Sequence, residues 1–257
     1  MSDAMPQVDD TLHVRRIHSL RTLRWLALGW RDFIEAPFIG LGHGLAMAVF
    51  GGFLLYVGWD RFWALAGAFS GFLLVAPMLV TGLYAVSREI GRGREPGWHT
   101  VRAVWTSWDG RMMLFGFLLM IAGSVWVVTS ASLITWWSQG AIHTPSEFLR
   151  YMVSPEGAGL FELWVILGGA MAAPVFASSL VTMPLLMDRK DVSVRRAMMT
   201  SVRAVATNPV LSSLWAGIVM VLTMVGFGSV MFLLILVLPV LGHASWHAYR
   251  DLVVRES

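Results

Sequence analysis

The sequence predicts an all-α, polytopic membrane protein: six transmembrane helices paired as three hairpins, each preceded by an amphipathic helix lying in the cytoplasmic interface. Three observations predict it. Of the 257 residues 56% are hydrophobic and only 14% charged, with a mean hydropathy of +0.66, which is too apolar for a soluble domain of this length. Long uncharged runs follow one another: 24 residues between Glu35 and Asp60, 26 between Arg61 and Arg88, and 25 between Glu162 and Asp188. A helix needs about 20 apolar residues to cross a bilayer. Finally, seventeen of the nineteen Lys and Arg residues fall into four clusters that lie between the apolar runs.

Residues 1–14 are polar and aperiodic and read as a disordered tail, followed by one integral membrane domain over 15–254. No basic stretch followed by an apolar one opens the chain, so no cleaved leader is expected. The spans are expected at about 37–58, 62–86, 112–137, 160–184, 210–225 and 229–248. The last two share a 46-residue uncharged stretch between Arg203 and Arg250, too long for one helix, with Gly226-Phe227-Gly228-Ser229 as the turn. The external loop over 138–159 carries Pro145 and Pro155 and a short surface helix expected from Ser146 to Val153. Arg61 and Arg150 are the only basic residues on one side, so the positive-inside rule puts both termini in the cytoplasm. Trp59, Trp63, Trp136, Trp137 and Trp164 then mark outer boundaries, and Trp30, Trp105, Trp108 and Trp246 inner ones.

The segments before the odd-numbered spans have helical amphipathic spacing. Leu23, Leu26, Ala27, Trp30 and Ile34 share one face, away from Arg24 and Arg31. Val101, Val104, Trp105 and Trp108 do likewise against Arg102, Thr106 and Asp109, and Met198, Val202, Val205 and Ala206 against Arg196, Thr200 and Arg203. Arg24, Trp30, Arg31, Arg102, Trp105, Trp108, Arg196 and Arg203 are therefore the expected contacts with membrane lipid. Val101-Arg102-Ala103-Val104 and Val202-Arg203-Ala204-Val205 are near copies in equivalent places. Pro77 precedes Arg88-Glu89 by the interval at which Pro239 precedes Arg250-Asp251, so the chain reads as three repeats of one unit.

Few residues point to chemistry. His243 and His247 lie one helical turn apart, and His43 falls at a similar depth below the inner surface, an arrangement open to haem or a small metal ion and equally to hydrogen bonds between helices. Pro77, Pro184 and Pro239 are expected to kink their spans, as is Pro174, and Gly40, Gly42, Gly44 and Ala48 to allow close helix contact. No acidic or basic residue sits at mid-membrane depth, which argues against ion-coupled transport, and no catalytic motif was found. Cysteine is absent, which removes disulfides and thiolate chemistry, and the basic residues lack the aromatic platforms of a nucleic-acid face.

The stretches Trp25-Leu26-Ala27-Leu28-Gly29-Trp30-Arg31-Asp32-Phe33, Leu185-Leu186-Met187-Asp188, Arg203 to Pro209, and Gly242-His243-Ala244-Ser245-Trp246-His247-Ala248-Tyr249-Arg250-Asp251 resemble a bacterial family of predicted integral membrane proteins of uncharacterised function. Some members carry the label cytochrome c oxidase subunit I, which would imply haem; the chain departs from an oxidase core in its six expected spans. The resemblance implies the bacterial inner membrane. The expected function is that of a non-enzymatic membrane component that binds lipid, a membrane-protein partner or a second copy of itself. A haem or metal redox protein using His43, His243 and His247 is the alternative, and a passive channel or transporter the second.

Overall fold

A computed structural model describes residues 12–58, 79–107, 109–138, 147, 150–151, 154–229 and 231–254. Among these residues the chain is helical, its one β feature being an isolated bridge between Val14 and Val253. Ten helices are labelled in chain order: α1 Arg21–Glu35, α2 Pro37–Gly58, α3 over 79–90, α4 Trp98–Trp105, α5 Gly110–Ser138, α6 Leu160–Ser179, α7 Thr182–Asp188, α8 Val194–Thr207, α9 Pro209–Gly228 and α10 Leu234–Leu252. Among the described residues four segments are long and apolar enough to cross a membrane: Pro37–Leu54, Gly110–Ser138, Pro155–Asp188 and Pro209–Gly228. They answer to the expected first, third, fourth and fifth spans. Most of the expected second span, including Pro77, lies outside the described residues, as do Trp59, Trp63 and most of the surface helix expected over 146–153. The expected sixth span forms α10, whose second half carries His243, Ser245, His247, Arg250 and Asp251 and so falls short of the apolarity of the other four.

Local chemistry explains the helix boundaries. Ala36 and Asn208 each precede a proline, which disfavours helical geometry at the residue before it. They adopt nearly the same backbone conformation, φ −131°, ψ 57° and φ −129°, ψ 56°. The chain thus turns in the same way from α1 into α2 and from α8 into α9. Asp109 starts α5 by accepting the Arg111 amide on Oδ1 at 3.0 Å, and Ser193 starts α8 by accepting the Arg196 amide. The turn between α9 and α10 comes slightly later than the glycines suggested: Ser229 Oγ accepts from the Leu233 amide, and Met231 takes φ 69°.

Pro184 acts four residues upstream of itself. A proline ring clashes with the carbonyl at i−4, here Leu180, and the helix breaks between Leu180 and Val181 into α6 and α7. Ser201 of α8 fills the gap, donating to the Ala177 carbonyl at 2.7 Å and accepting from the Val181 amide at 3.3 Å. Pro174 and Pro239, by contrast, sit inside continuous helices. Pro239 leaves the Ile235 carbonyl without its helical donor, and Gly44 of α2 lies directly on that oxygen; an ideal Cβ there would come within 2.1 Å of it. Gly29 of α1 is equally close to α10, with a Cβ position 2.6 Å from the Val240 carbonyl. Glycine is needed at both places because a backbone is already where a side chain would begin.

The main core gathers under the basic end of the molecule, around Trp25, Trp215, Trp246, Leu185, Leu186, Tyr249 and Leu252. Trp246 is therefore a core residue and not part of an interfacial belt, with Arg250 above its ring. Residues 12–18, of which 12–14 were expected in the tail, cross this core as a strap. Leu12 is buried, the Arg15 amide donates to the Leu252 carbonyl, and Asn208 holds both sides of the strap through the Ile17 amide and the Arg15 carbonyl. The bridge between Val14 and Val253 places both ends of the described chain on one face of the molecule.

Candidate functional site

The polar groups that α1, α2, α3 and α10 bring together form a buried network. Its centre is Asp32 of α1, which is fully buried. His247 of α10 donates from Nε2 to Asp32 Oδ2 at 2.7 Å, and Arg31 donates to Oδ1 at 3.1 Å. Ser87 of α3 is within reach of the same carboxylate and pairs with His243 Nδ1 at 2.7 Å. Burial pushes the Asp32 carboxyl up, but His247, Ser87 and Arg31 together hold it below its ordinary value. An ionised carboxylate without water is costly, so these donors are what allow it to stay there.

His43 of α2 sits beside this network in an aromatic slot. Its ring stacks parallel to Trp98 at 5.9 Å between centroids and lies 5.4 Å from Trp105, both from α4, and its Nδ1 bonds the Ile39 carbonyl at 2.8 Å. The Nε2 atoms of His43 and His243 are both buried without a hydrogen-bond partner. The three histidines that sequence spacing singled out are thus neighbours, but they do not converge on a common point. His247 and His243 face different partners, and His43 Nε2 looks onto Gly82, where an ideal Cβ would sit 2.7 Å away. Among the described residues no group of three or more His, Asp and Glu side chains is placed to hold a metal ion. Trp98, Trp105 and Gly82 are the neighbours of the His43 ring among the described residues.

A serine, a histidine and an aspartate in one network resemble a hydrolytic triad in composition only. Ser87 and His243 are buried away from solvent, and the carboxylate pairs with the other histidine. The arrangement can lock three helices and share protons among them.

The sequence reading did not single out Asp32, which it named only within the resembling stretch Trp25 to Phe33, and did not name Ser87. A second set also escaped it. Arg111 chelates Asp109 and donates to the carbonyls of Leu186, Arg189 and Val192, so it closes the C-terminal end of α7. Tyr249 donates to Asp188, while Asp251 accepts from Arg21 and from the Trp25 indole at 2.8 Å. Several arginines counted as markers of topology are therefore structural. Of the expected lipid contacts, Arg24, Arg31, Arg102 and Arg203 are exposed, Trp30 and Trp105 are exposed, Arg196 is half-buried, and Trp108 lies outside the described residues.

Apolar helices of spanning length above a basic, hydrogen-bonded base define an integral membrane protein. A family described as predicted integral membrane protein (DUF2189) matches residues 64–188, and in that segment the chain is similar to a membrane family of uncharacterised function. The match takes in α3 to α7 and leaves α1, α2 and the histidines of α10 outside it. Neither the curated proteins nor the solved structures contain a match to this chain.

Proposed function

We propose that this is a non-enzymatic component of the bacterial inner membrane whose interfacial helices seat on anionic lipid at the cytoplasmic side. One observation carries the reading. α1 buries Thr22, Trp25, Gly29 and Asp32 against the protein, yet Leu23, Trp30 and Ile34 stay 59%, 50% and 56% exposed, alongside exposed Arg24 and Arg31. α8 repeats this: it buries Ala197, Thr200, Ser201 and Ala204 and leaves Met199, Val202 and Arg203 outside. A helix with one face committed to protein and an apolar stripe beside arginines on the other fits the lipid interface. Each arginine near an anionic surface contributes about 1 kcal/mol, so Arg24, Arg102 and Arg203 together contribute about 3 kcal/mol.

Six spans in three units of interfacial helix and hairpin remain the favoured topology. The pairing of both ends on one face requires an even number of crossings. The matched backbone turns at Ala36-Pro37 and Asn208-Pro209 support equivalence of the first and third units. The test is lipid analysis of the protein extracted from bacterial membranes, paired with reporter fusions at both termini. Enrichment of anionic lipid that is lost when Arg24, Arg102 and Arg203 are changed to Gln supports the reading; lipid composition equal to the bulk membrane overturns it. A terminus reporting from the outer side overturns the topology. An absorption spectrum of the same preparation addresses the haem alternative, which a Soret band abolished by His243→Ala would revive.

A further inference from the structure

We infer that the cavity between α3, α4 and α7 is a binding site for a phosphate group, supplied by a phospholipid headgroup or by a soluble phosphate. The inference deepens the lipid-seating reading above by naming a discrete site. The cavity holds about 380 Å³ and is lined by Arg88, Glu89, His99, Thr100, Ser107 and Lys190, with apolar Val104, Met112 and Met187 behind them. That volume lies in the range of small-ligand pockets.

Two features make it a site for an anion. The first is an excess of cations that the local carboxylates do not absorb. Glu89 already pairs with Arg92 at 3.1 Å and with Arg94, and Asp109 already binds Arg111 at 2.7 Å and Lys190 at 3.0 Å. Arg88 shares Glu89 with Arg92 and Arg94, at 3.7 Å, and lies near the charge of Asp188. The second is Arg88 itself: its Nε is buried and makes no hydrogen bond, with a Glu89 carboxylate oxygen 3.7 Å away, while 21% of the side chain stays exposed. A guanidinium lining a cavity has the fork geometry that matches phosphate oxygens. The Thr100 hydroxyl, which accepts from the Gly97 amide and keeps its own hydrogen to give, and a ring nitrogen of His99 add donors on the α4 side.

Position favours the headgroup. The cavity lies at the end of the molecule where the two ends of the described residues meet, since Arg189 donates to the Val254 carbonyl and Tyr249 bonds Asp188 beside it. Trp98 and Trp105 on the same short helix are partly exposed, as expected of a helix at the lipid boundary. A phosphate in the cavity with its acyl chains directed past α4 satisfies both the cations and the apolar wall.

The test uses the full-length protein in phosphatidylcholine nanodiscs, titrated with short-chain phosphatidic acid in one arm and with inorganic phosphate and glycerol 3-phosphate in the other. Saturable binding is expected, weakened by about tenfold or more in Arg88→Gln and Lys190→Gln. Ala103→Trp fills the cavity from the exposed face of α4 without changing charge, and should abolish binding while the thermal transition is kept. Arg195→Gln, an exposed charge on α8, controls for general attraction and should bind as the parent does. Binding in the lipid arm alone assigns the site to a headgroup, and binding in both arms to phosphate from either source. Equal binding by parent and Ala103→Trp, or none in either arm, overturns the site. A parent extract with the lipid composition of the bulk membrane, while the cavity binds phosphate, would sink the general reading and leave the site standing.

Discussion

The contact of α10 with α1 and α2 and the contact of α5 with α6 are both helix packings within one apolar chain, and they are built in opposite ways. At α10 the backbones touch. Gly29 and Gly44 bring α1 and α2 onto carbonyls of α10, Asp32 and His247 tie α1 to α10 with a hydrogen bond, and Ser87 and His243 tie α3 to it. At α5 and α6 the helices are held apart by side chains: Trp126 packs over Gly168, Trp164 bonds Ser130, and an apolar groove of about 670 Å³ opens between them. In a bilayer, apolar side chains gain little by leaving lipid for protein, so tight association comes from close backbone approach and polar bonds. The first contact has both. The second has the Trp164–Ser130 hydrogen bond and leaves many of its apolar side chains exposed.

The comparison can be broken by substitution. Gly44→Ala and Gly29→Ala place a Cβ into a backbone that cannot yield, and each should cost about 3 kcal/mol or more, read as loss of the folded peak in detergent. Arg111→Gln should cost about 2–3 kcal/mol, because it frees the carbonyls of Leu186, Arg189 and Val192 together and strips Asp109 of its main partner. Asp32→Asn should cost about 1–2 kcal/mol in thermal unfolding, since the charge that holds His247 is removed while the shape is kept. At the other contact Gly168→Ala meets only the tip of the Trp126 ring, and Gly169→Ala meets nothing within 4 Å. Changes of about 1 kcal/mol or less are expected there, of either sign because alanine favours helix. Equal losses at Gly44 and Gly169 would end the distinction.

Acid provides a finer test. Asp109 and Asp32 lie below their ordinary value of 3.8, burial raising both and their cationic and hydrogen-bonding partners lowering them further. The folded state therefore binds fewer protons than the unfolded one at these positions. Their stabilising contribution is whole above 3.8 and is lost as the pH falls below it towards the folded values. Melting temperature should fall between about pH 4 and about pH 2, and Asp109→Asn should flatten that fall. A parallel curve for the variant would show that Asp109 does not contribute.

Much of the fold was legible because lipid imposes a one-dimensional rule. Uncharged runs gave α2, α5, α6 and α9 their positions, and amphipathic spacing located α1, α4 and α8. The apolar stripe it found on α1 faces outward, and the protein-facing side is Thr22, Trp25, Gly29, Asp32 and Phe33, whose polar members hydrophobic periodicity does not score. The histidines were noticed for their spacing, but their partners Asp32 and Ser87 are 215 and 156 residues away in sequence, and nothing local connects them.

Sequence alone determined that the chain enters a membrane, which segments are long enough to cross it, and where the basic residues gather. Those properties follow from the transfer of individual side chains between water and hydrocarbon, and each is additive along the chain. Tertiary structure alone decided which arginines are locked against carbonyls, that three histidines stand near one another without sharing a ligand, and that one cluster of cations surrounds a cavity. Those are properties of distance between remote residues, set by where glycines let backbones meet and where a proline breaks a helix.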